Sequence, residues 1–397
     1  EGTLLKLSNR IKLIKPSSTM ALTSKANDLK AKGEDIIVLT VGEPDFDTPD
    51  YIKDGAKKAI DEGMTKYTSV DGTLELKNAV IKKFKNENNL NYDLDQIIVS
   101  AGCKQSIFNL LQVIIDEGDE VIIPQPYWVS YADMVIYSGG KPILLETNYE
   151  NNFSIDINLF ESLISDRTKL FMINSPNNPC GKYYDSALLK KLSEVLKKYE
   201  HIFISSDDIY EHIHWGDEKF HNILNVCPEL NDRVIILNGV SKAYSMTGWR
   251  IGYAAGNKEI IKKMKTLQSQ STSCASSVSQ AAATTALNNV CSELPMMNKE
   301  YKQRHDFVIS ELNQINDVEC KPTDGTFYVF PSFKKYIEKN NHISNDTELA
   351  LYLLEKAKVA VVPGSAFGIE GHLRISIAID MKSLEEAMKR LKSILNS

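Results

Sequence analysis

Lys242 stands in Asn238-Gly-Val-Ser-Lys-Ala-Tyr-Ser-Met-Thr-Gly-Trp-Arg-Ile-Gly-Tyr253, with Arg250 eight positions further on. The strand-like run Arg233-Val-Ile-Ile-Leu-Asn238 leads into it, and Gly, Ser and Thr surround it. A lysine desolvated at such a strand mouth can lose its proton and attack a carbonyl as a nucleophilic amine. The alternative is a solvated surface charge, of which the chain has many. Ser205-Ser-Asp-Asp-Ile-Tyr-Glu211 follows the apolar run His201-Ile-Phe-Ile204. Asp207 would project from that strand's carboxyl end, with Tyr210 on the same side of the next turn. An ionised Asp207 could hold a proton on a ring nitrogen; the alternative is that Asp207 or Asp208 caps a helix. Asn174-Ser-Pro-Asn-Asn-Pro-Cys-Gly181 is a stiff loop able to present an amide side chain, or else a plain turn. Ser100-Ala-Gly-Cys-Lys-Gln-Ser106 turns from a strand into a helix, where free backbone N–H groups favour a phosphate.

The elements that must position these residues alternate. Strand-like runs at Ile97–Val99, Glu120–Ile123, Pro142–Leu145, Leu170–Ile173, Ile202–Ile204 and Val234–Leu237 are separated by helical patterns. That alternation predicts an α/β fold, a mostly parallel sheet with helices on both faces. Each motif falls at a strand's carboxyl end, where such folds bind ligands. No GxGxxG follows a strand, which argues against a nicotinamide cofactor. From about residue 295 a long helical pattern near Met296–Ile315 appears. Short strands near Gly325–Phe330, Val359–Val362 and Leu373–Ile377 follow it, then a helix over Ser383–Leu395. This reads as a smaller α+β domain.

Pyridoxal phosphate is the cofactor that uses such a lysine, together with an acid for its pyridine nitrogen and a cation for its phosphate. With these motifs the chain resembles class I, fold-type I aminotransferases, in the bacterial branch of aspartate and prephenate aminotransferases. Lys15-Pro-Ser-Ser-Thr19, Val41-Gly-Glu-Pro-Asp-Phe-Asp-Thr-Pro49, Lys66-Tyr67, Pro126-Tyr-Trp-Val-Ser-Tyr131, Val362-Pro-Gly-Ser-Ala-Phe-Gly368 and His372-Leu-Arg-Ile-Ser376 extend the likeness over essentially the whole chain.

The resemblance implies a pyridoxal 5'-phosphate enzyme in which Lys242 holds the cofactor and then moves the substrate's α proton. It implies that Asp207 pairs with the pyridine nitrogen, that Asn178 and Tyr210 contact the phenolic oxygen and that Trp128 stacks on the ring. Without the resemblance Trp128 reads equally as a core residue. Arg250 and the amides at Gly102, Cys103 and Lys104 would bind phosphate, and Tyr67 would reach a neighbouring subunit's cofactor in a homodimer with shared active sites. Arg374 would clamp the substrate α-carboxylate, with Gly42, Asn178 and Trp128 beside it. Lys104 would read a second carboxylate, with Ser18 and Thr19 lining the same pocket. The expected reaction is amino transfer from L-aspartate to 2-oxoglutarate; aromatic or prephenate amino transfer and a carbon–sulfur β-lyase are the alternatives. Two departures stand out: Cys180 where relatives carry threonine, a change that could alter side-chain selectivity, and Gly239 where many carry a serine that contacts phosphate. The resemblance also implies a large domain over 46–292 and a small domain over 1–45 and 293–397.

Composition agrees. The chain has 397 residues, 43% hydrophobic, so more than one domain is expected. A net charge of −6 argues against nucleic acid as a partner, and Lys82-Lys-Phe-Lys85 and Lys262-Lys-Met-Lys265 read as solvated helix faces. Six scattered cysteines without a CxxC pair, and histidines without metal spacing, point to reduced thiols, a cytoplasmic setting and no metal. No run is long and apolar enough for a membrane span, and no membrane role is expected. The opening Glu1-Gly2 lacks an initiating Met, as an expression remnant or a processed end would.

Overall fold

The structure, a computed structural model, describes residues 5–397; Glu1 and Gly2 lie outside the described residues. Its centre is a seven-stranded sheet. In spatial order the strands are Ile97–Ser100, Gly252–Ala255, Val234–Gly239, Phe203–Asp207, Thr168–Asn174, Glu120–Pro124 and Lys141–Leu145. The last five run parallel to one another. Alternate residues along the strands feed two separate cores. Val99, Phe171, Ile204 and Ile236 face one, and Ile98, Leu170, Met172 and Ile235 face the other. The period of two is what puts both faces under helices.

All six strands expected from the sequence are present. The one expected at Ile202–Ile204 runs on through Ser205 and Ser206 to Asp207, because those polar residues are buried between neighbouring strands. The seventh, Gly252–Ala255, was not anticipated. It pairs antiparallel with both neighbours and has no β-branched residue to announce it. Its glycine has a steric reason: a Cβ on Gly252 would collide with the backbone of Gly102 and Cys103. The strand therefore seats the start of the helix Cys103–Ile114 directly against the sheet.

A third core gathers Leu22, Leu29 and Leu39 with Tyr301, Val308, Phe327, Leu353, Ile375 and Leu391. Ile37–Val38 pairs in parallel with Val359–Ala360, and Val362–Pro363, Leu373–Ser376 and Tyr328–Val329 form a three-stranded antiparallel sheet. The long helix is Glu293–Leu312, starting three residues before the expected one, and Met381–Leu395 closes the chain with Asp380 as its cap. Arg304 of the long helix is buried and grips Asp45 with both terminal nitrogens, at 2.8 and 3.0 Å. This pins the segment that begins at Val41.

One expectation is corrected. Lys83 does not belong to a solvated face; it is buried and pairs with Glu211. Glu211 also accepts from Asn88 (2.9 Å) and Asn238 (2.7 Å). Among the described residues no helix is long and apolar enough to cross a membrane.

Candidate active site

The carboxyl ends of four strands meet at one cleft of about 730 Å³. Asp207 is the last residue of its strand, Lys242 lies three residues past Val234–Gly239, and Asn178 four past Thr168–Asn174. Cys103 and Lys104 open the helix that follows Ile97–Ser100. Trp128, Tyr210, Arg250, Arg374 and Gly42 line the same cleft.

Lys242 points its Nζ at the Gly42 carbonyl, 5.9 Å from the centre of the Tyr210 ring. Burial, reinforced by the positive charges of Arg374 and Arg250, brings its pKa down to about 8. The amine is therefore available as a nucleophile and base close to neutrality.

Asp207 is 5% exposed. Burial raises its pKa to about 6, against the pull of donors from Tyr131 Oη and, at 3.2 Å, Ile209 N. A buried carboxylate in this position is incomplete without a cation, and a protonated ring nitrogen would supply one. Asp208 turns away, accepting from Ser206 (2.7 Å) and Asn222 (3.0 Å). Burial and the Glu211 charge raise its pKa to about 8. No helix starts after this pair, so the capping alternative falls; Asp207 closes a side-chain turn onto Ile209 instead.

The helix Cys103–Ile114 begins without a side-chain cap. Gly102 precedes it at φ +87, and a Cβ there would collide with the Arg250 guanidinium. Bare glycine thus lets the guanidinium and the first helical amides face the same space, a cradle suited to a phosphate. Arg250 is steadied by a bond to Thr247 O at 3.0 Å. Lys104 Nζ lies 4.9 Å from the centre of the Trp128 ring; burial and the Arg250 charge lower its pKa.

Arg374 is 7% exposed. Its terminal nitrogens reach Asn178 Oδ1 (2.9 Å) and Thr40 O (2.8 Å), while Nε has no partner among the described residues. Asn178 lines the cleft, and with its side-chain carbonyl thus engaged its amide nitrogen has no acceptor among the described residues. A guanidinium this deeply buried and short of an anion is prepared to receive a carboxylate.

Tyr67, which the resemblance assigns to a neighbouring subunit's cofactor, is 91% exposed and lies outside this chain's cleft. Ser17 and Thr19 line it, but Ser18 does not. Cys180 is also outside, packed with Tyr149, Phe153, Phe330 and Phe367. Gly239 has no room for a serine, because a Cβ would come within 2.9 Å of Ile251 O and 3.0 Å of Gly252 Cα. The sequence reading missed Tyr131, which holds Asp207, and Tyr328, whose hydroxyl meets that of Tyr210 at 3.0 Å. Tyr131 closes Pro126-Tyr-Trp-Val-Ser-Tyr131, three residues after Trp128, and that spacing is its only signal in the sequence.

Pyridoxal phosphate carries a carbonyl, a ring nitrogen and a phosphate. The donors present fit all three: a desolvated amine, a buried carboxylate short of a counter-charge, and a guanidinium beside uncapped helical amides. Fold and cleft together define a pyridoxal-phosphate-dependent α/β enzyme. Comparison with known proteins makes this specific: the chain belongs to the class I and II aminotransferases, whose family model matches residues 34–391. It is 50% identical over 397 residues to the aspartate/prephenate aminotransferase of Nitrosomonas europaea, covering 99% of this chain and 100% of that protein. The crystal structure of the Rhizobium meliloti aspartate aminotransferase superposes with a TM-score of 0.96 at 43% identity, over 99% of each chain. That of the Thermus thermophilus aspartate aminotransferase with maleate gives 0.91 at 38%, over 99% of this chain and 100% of that one.

Proposed function

We propose that this aminotransferase moves the amino group of L-aspartate to 2-oxoglutarate by a ping-pong route, giving oxaloacetate and L-glutamate. One observation carries the substrate choice. Lys104 lines the same cleft as Arg374, and its ammonium is perturbed by burial and Arg250 but by no carboxylate. Two cations facing one cleft suit a substrate with two carboxylates. The names of the relatives support this, and so does maleate, a dicarboxylate, in the Thermus protein. Those same names favour a second reading: prephenate as an acceptor, for which Trp128 and a cleft of about 730 Å³ leave room. A lyase has no such support.

In this reading each residue has one task. The bound cofactor supplies the carbonyl and an electron-accepting ring. Lys242 Nζ removes the substrate's α proton and gives a proton back. Asp207, braced by Tyr131, keeps a proton on the pyridine nitrogen. Tyr210 and Asn178 donate to the phenolic oxygen, and Trp128 stacks on the ring. Arg250 and the amides at Gly102, Cys103 and Lys104 hold the phosphate. Arg374 binds the α-carboxylate in a two-pronged geometry that an ammonium could not reproduce, with Gly42 beside it.

We take residues 46–292 as the cofactor domain and 1–45 with 293–397 as the small domain, a division supported by the third core, whose buried residues come from the small domain apart from Ile209, Tyr210 and Ile213. The exposed Tyr67 ring fits a homodimer in which it reaches the partner's cofactor.

The test is kcat/KM for L-aspartate against L-phenylalanine in the wild type and in Lys104→Met. The wild type should prefer aspartate, and losing the second cation should cut that preference by about tenfold. An equal preference that Lys104→Met leaves unchanged would overturn the aspartate assignment.

A further inference from the structure

Tyr328 joins three parts of the cleft that the sequence shows only separately. It sits in the short strand Tyr328–Val329, paired antiparallel with Leu373–Ser376 so that Tyr328 faces Ser376. The period of two puts Arg374 on the same face as Tyr328, one diagonal step away. The Arg374 guanidinium accordingly lies 4.3 Å from the centre of the Tyr328 ring, and Phe367 takes its other contact at 4.9 Å. At the far end of the ring, the hydroxyl meets Tyr210 Oη at 3.0 Å. The same hydroxyl would be 3.0 Å from a Cβ on Gly42, so it touches the segment whose carbonyl accepts from Lys242. Tyr328 is 1% exposed, and Tyr210 is the one hydrogen-bond partner of its hydroxyl among the described residues.

Each hydroxyl carries one proton, and only one of the two can lie between them. If Tyr210 gave its proton to Tyr328, it would have none for the phenolic oxygen. If Tyr328 donates, Tyr210 is left with its proton aimed into the cleft and becomes a stronger donor, because hydrogen bonds in a chain polarise one another. We propose that Tyr328 is a positioning residue of the amino-transfer reaction. Its hydroxyl donates to Tyr210 and so orders the proton that Tyr210 offers the cofactor's phenolic oxygen, while its ring face supports Arg374. This rests on the role given to Tyr210 above, and it goes beyond that role by linking the carboxylate clamp and the phenolic-oxygen contact through one side chain.

The test uses the loaded holoenzyme without substrate and follows the pH midpoint of its visible absorbance band. A weaker donor leaves the phenolic oxygen more basic, so it holds the adjacent proton to higher pH. Tyr328→Phe, which keeps the ring, should raise the midpoint by roughly half a unit, less than Tyr210→Phe does. Its KM for L-aspartate should stay within about twofold of the wild type while kcat falls about threefold. Tyr328→Leu should shift the midpoint similarly and also raise KM by about tenfold, because the guanidinium loses its aromatic support. A midpoint that moves in Tyr210→Phe but not in Tyr328→Phe overturns this inference and leaves the Tyr210 role standing. A midpoint unmoved in Tyr210→Phe overturns the Tyr210 role itself, and this inference with it. Thermal unfolding of the cofactor-free variants separates either result from a folding defect.

Discussion

The Tyr131 hydroxyl donates to Oδ2 of Asp207 at the closed end of the cleft. Burial alone would drive this carboxyl toward its neutral form, and the Tyr131 donor is the largest of the groups that oppose it. The bond therefore favours the charged form of Asp207.

Tyr131→Phe should raise the Asp207 pKa above its present value of about 6. The acid limb of the kcat/KM profile should then move to higher pH. A hydrogen bond to a charged group is worth about 1.5–3 kcal/mol, so activity near neutrality should fall by roughly two- to fifteenfold, with recovery in alkali. A pH–rate profile checks this; an unshifted acid limb would show that the bond has no part in setting the charge.

Lys242 gives a stability prediction for the cofactor-free protein. Its folded pKa, about 8, lies below the ordinary lysine value of 10.5. Between those values the folded chain binds fewer protons than the unfolded one, so this group makes stability rise with pH across that window. Below about pH 8 the lysine is charged in both states and its full burial cost is felt. Lys242→Met should remove this slope and melt higher than the wild type near pH 7. Thermal scans of both proteins across the window decide it; parallel curves would contradict the lowered pKa.

Gly102→Ala tests the phosphate cradle. The new Cβ would occupy the place of the Arg250 guanidinium, at a backbone φ of +87 that side chains rarely adopt. Affinity for pyridoxal phosphate should drop by about tenfold or more, roughly 1.4 kcal/mol, with the far-ultraviolet dichroism unchanged. Cofactor titration followed by absorbance measures it.

The chemistry-bearing segments were legible because each is local: a lysine, an aspartate or an uncapped helix start at the end of an apolar strand. Six of the seven strands of the main sheet were visible for the same reason. Gly252–Ala255 was hidden because close approach to Gly102 and Cys103 requires the glycine, and Tyr253-Ala-Ala255 contains no β-branched residue. Tyr328 was hidden because its significance lies in contacts with Tyr210 and Arg374, 118 residues back and on a neighbouring strand. Lys83 looked like one more lysine on a solvated helix face, and only the fold brings Glu211 to it. Ser17, Ser18 and Thr19 all carry a hydroxyl, and only the fold shows that the first and last, bonded to each other at 2.7 Å, line the cleft.

The Lys83–Glu211 pair leads to a further test. Glu211 is held ionised, its pKa brought down to about 2: the Lys83 charge and hydrogen bond, with lesser help from His212 and Asn88, outweigh the upward push of burial. Lys83→Met leaves that carboxylate buried without its cation and should cost about 3–5 kcal/mol. Lys83→Met with Glu211→Leu should recover part of the loss. Urea unfolding of the single and double variants measures both, and a single variant as stable as the wild type would contradict the pairing.

Mixing the loaded protein with L-aspartate and recording its absorbance spectrum decides whether Lys242 serves a transamination that takes aspartate. The visible band should give way to that of the amine form of the cofactor, 2-oxoglutarate should restore it, and Lys242→Ala should show neither change. A spectrum that stays unchanged with aspartate, or a Lys242→Ala protein that cycles like the wild type, would contradict that role.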